Sequence, residues 1–157
     1  MPMGVIFQYY QLRFHNAIVR LGFVGVRACA PGSIGREAMT YYSGIVLAVP
    51  AANKQAYVEM ARQAWPMVKR HGAIRMVETW GEDVPHGKQT DFWRATDAKD
   101  GEVPLFSWIE WPDRETADKA QAGMEAEMQD ASTPEMPFDG KRMFWGGFAP
   151  VFDSEKG

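Results

Sequence analysis

Two glutamates set among large apolar residues carry the clearest potential for chemistry: Glu78 between Met76 and Trp80, and Glu110 between Trp108 and Trp111. Burial in such surroundings disfavours a carboxylate, raises its pKa and suits it to general acid or base work, so both are candidate catalytic residues. If the two face one space, they can hold a proton between them. If Arg75, Arg94 or Arg142 meets them instead, they are structural ion pairs. Trp80, Trp93, Trp108, Trp111 and Trp145 offer an aromatic wall to a planar ligand, although aromatic residues equally fill cores and interfaces. The candidate ligand-binding set is Trp80, Trp108, Arg94, Arg142 and Trp145. Arg142 ends the run Asp139, Gly140, Lys141, Arg142, a turn whose paired cations suit a carboxylate or phosphate.

Other chemistries find little support. His15, His71 and His86 lack metal-ligand spacing, and the single cysteine, Cys29, cannot make an intramolecular disulfide or a thiolate cluster. His71 falls at a helix end, where a cation meets the carbonyl groups well, and His86 falls in a polar loop. No metal and no cofactor are expected. The chain carries 17 basic and 20 acidic residues, unevenly spread. Residues 1–38 hold four arginines and one glutamate, and the remainder is acidic. An acidic body is a poor match for a phosphate backbone, which argues against nucleic acid. No apolar run approaches the roughly 20 residues of a membrane span, so a soluble cytoplasmic protein is expected.

The candidate residues need elements to hold them. Tyr41 to Val49 alternates β-branched and aromatic residues and stops at Pro50, which predicts a first strand. Asn53 is a candidate N-cap, Tyr57, Ala61, Ala64, Trp65 and Val68 recur at helical spacing, and Gly72 is a stop signal, so a helix is predicted over 53–71. Residues 73–80 have the period of a strand. A polar loop over 81–90 leads to a short predicted edge strand at 91–96. Residues 103–111 form the aromatic strand. Asp113 caps a second amphipathic helix over 113–130, lined by Ala117, Ala120, Met124 and Met128. A last strand over 143–152 bears Gly146 and Gly147, which suit a bulge or a close backbone approach.

Helices crossing between strands in this order predict an α+β ferredoxin-like sandwich, with an antiparallel sheet and two helices on one face. The run Phe106, Ser107, Trp108, Ile109, Glu110, Trp111 is apolar on both faces, and two helices can cover only one. A four-stranded sheet presents on the order of 400 Å² per face, from about 4.8 Å between strands and about 20 Å along them. Single chains seldom leave that much contiguous apolar surface in water. A homodimer joined by the helix-free faces is expected.

Several segments then become familiar: Gly44 to Pro50, Val77 to Gly81, Asp83 to Phe92, Phe106 to Pro112 and, most specifically, Met136 to Met143. Over about Met39 to Asp153 the chain resembles the YbaA-like family of small bacterial proteins of unknown function. That resemblance implies a dimeric α/β barrel related in fold to antibiotic-biosynthesis-type monooxygenases, and it brings no established activity or catalytic residues. Residues 1–38 have no counterpart in it. Arg36 and Glu37, just before Met39, are compatible with a purine-rich ribosome-binding sequence, so Met39 is the expected start and 1–38 an upstream extension of a 39–157 domain. Two functions are expected to compete. One is a small-molecule-binding protein or cofactor-independent enzyme that takes a hydrophobic or aromatic ligand inside the barrel. The other is a non-catalytic, stress-related dimeric module whose barrel is filled by side chains.

Overall fold

The computed structural model describes residues 39–128 and 136–155. The expected upstream extension, 1–38, lies outside the described residues. Strand β1 spans Tyr41–Pro50 and passes through a 3-10 turn, Ala51–Asn53, into helix α1, Lys54–Arg70. Strand β2, Arg75–Glu78, is followed by a one-turn helix α2, Phe92–Ala95. Strand β3, Glu102–Trp111, leads to helix α3, Arg114–Met128, and a second 3-10 turn, Gly140–Arg142, precedes strand β4, Phe144–Phe148.

The strands form one four-stranded antiparallel sheet in the order β2-β3-β1-β4. Each long helix joins two strands that are next but one in the sheet, α1 from β1 to β2 and α3 from β3 to β4. Register assigns every strand residue to a face. Leu47 pairs with Leu105, Ser43 with Ile109 and Tyr41 with Trp111. These residues belong to the face that meets the helices. There Ile45, Leu47, Leu105 and Ile109 pack with Tyr57, Met67 and Val68 of α1 and with Ala117, Ala120 and Met124 of α3. Phe138 and Met143 close the same core.

Local signals explain the ends. Gly72 adopts a left-handed φ of 101° after α1, with Gly72 N–H donating to Lys69 O at 3.0 Å and Ala73 N–H to Val68 O at 3.3 Å. That pair satisfies carbonyls a helix end would otherwise leave bare. Asp113 caps α3 by accepting from Thr116 N at 2.7 Å. Asn53 does not cap α1 with its side chain, and its Nδ2 donates instead to Pro137 O at 2.8 Å.

Three expectations need correction. Residues 91–96 form no edge strand, because the Asp91 side chain accepts from Arg94 N at 2.8 Å and nucleates α2 as an N-cap, overriding the β preference of Phe92 and Trp93. Strand β2 is shorter than 73–80, since the Thr79 hydroxyl bonds the backbone of Phe106 and ends the regular ladder. Strand β4 ends at Phe148, opposite Tyr42 near the start of β1. Pro150, lacking an N–H, cannot extend it, and Val151 and Phe152 are exposed.

Candidate functional site

The sheet separates the predicted site residues. Glu78 pairs with Ser107 and lies on the helix side, whereas Glu110 pairs with Arg75 on the opposite face. The condition for a shared proton within one chain is therefore not met. Trp108 lies on the open face with Glu110. Trp145 packs against the helix-side core, as does Trp80, whose ring carries the Lys54 ammonium 4.9 Å from its centroid.

Glu78 is half-buried and accepts a hydrogen bond from the phenol of Tyr57, itself only 1% exposed. Burial pushes the Glu78 carboxyl above the usual carboxylate range, and contacts with Ser107 and Tyr57 oppose that rise. The fully buried Ser107 hydroxyl lies across the ladder and favours the Glu78 carboxylate, yet it makes no hydrogen bond. This cluster can hold a proton beneath α1.

Both arginine candidates are already engaged. Arg142 makes a two-pronged pair with Glu102, Nη1 to Oε2 and Nη2 to Oε1 each at 2.6 Å. It also donates to Asp139 Oδ2 at 3.0 Å and Asp97 O at 2.8 Å. The Arg142 guanidinium holds the Glu102 carboxyl below its usual range, and Glu102 in turn raises the arginine. The clamp anticipated at 139–142 thus grips the turn before β3. Arg94 donates to Asp91 Oδ2 at 2.8 Å and Gly87 O at 2.7 Å, pinning the polar loop, which the Trp93 indole also fastens by donating to Val84 O at 2.9 Å.

The open face is a grid of three rows. Arg75, Glu110, Tyr42 and Phe148 form a polar end row. Val77, Trp108, Gly44 and Gly146 come next, then Phe106, Val46 and Phe144. Phe106 and Trp108 stack with centroids 5.6 Å apart. A Cβ on Gly44 would lie 3.0 Å from the Phe148 ring, which would have to give by a few tenths of an ångström. Phe106 is 45% exposed, Phe144 43% and Phe148 58%, whereas Gly44, Ala48 and Pro104 on the same face are buried. Burial and the negative field of Glu110, Asp153 and Glu155 push the Tyr42 phenol up, keeping its proton in place as a donor.

The sequence marks Glu110 and Trp108 as site candidates without assigning them to this face, names Phe106 only as part of the aromatic strand, and leaves Tyr42 out. The signal was available: 106, 108 and 110 share strand parity, and Tyr42 lies on the strand expected to run beside them. Tyr57 was read only as a core residue of α1, and nothing local ties it to Glu78. On the helix side a cleft of about 510 Å³ lies between α1 and Met136 and Pro137, lined by Asn53, Glu59, Met60 and Gln63 and by none of the expected site residues. No helix among the described residues is long and apolar enough to cross a membrane.

Fold and site together define a small α+β protein with one aromatic sheet face left open. Residues 40–140 match a family described as "Protein of unknown function (DUF1428)". The chain is 49% identical over 116 residues to the "Uncharacterized protein YbaA" of Escherichia coli strain K12, covering 73% of this chain and 99% of that protein. The YbaA of Shigella flexneri matches to the same extent, 49% over 116 residues. The chain belongs to this YbaA-like family.

Proposed function

We propose that the protein is a homodimer of ferredoxin-like protomers, joined through their open sheet faces into an α/β barrel that binds a small hydrophobic or aromatic molecule. The order β4-β1-β3-β2, with α1 and α3 as crossovers, supports the protomer reading. The observation that carries the dimer is the open aromatic grid. The face offers on the order of 400 Å² in projection for a partner to cover, from about 4.8 Å between strands and about 20 Å along them. The ligand sits at the polar end of the joined faces, against the stacked Phe106 and Trp108 rings, with Glu110 as acid or base and Tyr42 as donor. Glu78 serves the protomer as a buried acid, and Arg94 and Arg142 hold the loops around the barrel.

A second reading keeps the dimer and fills its interior. It is favoured by the close approach of Phe148 and Phe106 to Gly44, which leaves little room over the middle row. A thermal-shift screen with small aromatic acids, phenols and aliphatic compounds separates the two. A ligand at 100 times its Kd adds about 2.7 kcal/mol to folding. The binding reading predicts a ligand that raises Tm in the wild type and not in Trp108→Ala. A screen with no such ligand at millimolar concentration contradicts it and leaves the filled barrel.

A further inference from the structure

On the helix side of the sheet, one carboxyl is supported from within and left without a counter-charge from outside. The Tyr57 phenol donates to Glu78 Oε2, and the Ser107 hydroxyl, 0% exposed and without a hydrogen bond, stands across the ladder beside the same group. Both hydroxyls favour the ionised form. Neutral donors spread the charge of a carboxylate without cancelling it, and a half-buried ion without a counter-charge is costly. Glu78 is half-buried and so reaches solvent, yet it pairs with no cation among the described residues.

Helix α1 brings an ammonium close by. Residues 54 and 57 share one face of the helix, so the face that sets Tyr57 on Glu78 also sets Lys54 on Trp80, two residues beyond that glutamate. The Lys54 ammonium lies 4.9 Å from the centre of the Trp80 ring, within the range at which an indole attracts a cation. It rests on the ring and makes no ion pair with Glu78. Lys54 is exposed and Trp80 half-buried, so the lysine can leave and the indole can meet a solute. We propose that Glu78 and Trp80 form a binding site for the primary ammonium of a small aliphatic amine, which displaces Lys54 from the ring and neutralises the carboxylate. The amine lays its alkyl chain over the indole and donates to Glu78 Oε1, the oxygen that Tyr57 does not bond. Tyr57 and Ser107 hold the carboxylate ionised behind it. The site lies within one chain, on the face of the sheet opposite the proposed dimer, and does not depend on that dimer.

Butylammonium, which reproduces the lysine side chain without its backbone, is the probe, and butanol is its uncharged control. Titrations of the full chain at neutral pH and fixed ionic strength follow the indole N–H signals by NMR, with that of Trp80 identified by its loss in Trp80→Phe. Butylammonium should shift the Trp80 signal to saturation and butanol should not. Glu78→Gln should weaken the binding by about tenfold or more, the loss of a hydrogen bond to a charged group. Lys54→Gln, at an exposed position that tolerates change, should tighten it by about threefold, since the resident ammonium no longer competes for the ring. Equal shifts with butylammonium and butanol, undiminished binding in a folded Glu78→Gln, or binding that Lys54→Gln fails to tighten overturns the site. Binding by Lys54→Gln alone overturns it too, because Lys54 is then the cation that Glu78 takes.

Discussion

The two faces of this sheet are made from the same strands, often from adjacent residues, yet they meet opposite surroundings. Leu105 is 1% exposed beneath the helices while its neighbour Phe106 is 45% exposed on the other side. The helix side is closed and holds the half-buried Glu78 with Tyr57. The open side keeps Glu110, Tyr42 and Arg75 at the edge of an aromatic field. Burial of the first face stabilises the protomer. The second face adds nothing comparable until something covers it, which separates folding from assembly within a single strand.

Substitutions can sharpen or break that contrast. The largest loss is expected for Arg142→Ala, which leaves Glu102 with 9% side-chain exposure and without its cation. Removing one partner of such a pair costs about 3–5 kcal/mol, read as a fall in the urea midpoint. Leu105→Ala should cost about 2–5 kcal/mol by opening a cavity, without changing the mass of the assembly. Phe106→Glu, one residue on, should do the reverse, altering mass while leaving protomer stability nearly intact. If both variants unfold the protein alike, the two faces are not separable.

Glu78→Gln gives a smaller, pH-dependent effect. Because the folded carboxyl is raised above its unfolded value, its protonated form contributes stability that is fully present below the unfolded pKa and lost as pH rises through the folded pKa. Denaturant melts of wild type and Glu78→Gln should therefore coincide most closely in acid, with the wild type losing ground as pH climbs from about 4 toward 7. Parallel curves would show that Glu78 keeps an ordinary pKa. Arg94→Ala should be the mildest change, about 0–1 kcal/mol, since its own side chain is 51% exposed and Asp91, though only 3% exposed, keeps the hydrogen bonds from Gly87 N and Arg94 N.

Periodicity made most of the scaffold legible, because a two-residue or 3.6-residue repeat survives wherever one side of an element is buried. The strand at 41–50, both long helices and the aromatic strand follow from it. The segment 91–96 misled because Phe92 and Trp93 favour strands, whereas one carboxylate at Asp91 decides the backbone by capping a helical turn. Site partners were harder to read. Tyr57 with Glu78 and Glu102 with Arg142 are separated by 21 and 40 residues, and no local pattern says which of several cations or donors a carboxylate will meet. Strand parity did hold enough information to separate Glu78 from Glu110, once the pairing of β2 with β3 is known.

Light scattering on the full chain at micromolar concentration tests the central claim most directly. Each chain weighs 17.7 kDa, and the open aromatic face predicts twice that mass for the wild type, falling to a single chain in Phe106→Glu. A wild-type protein that scatters as one chain would contradict the account.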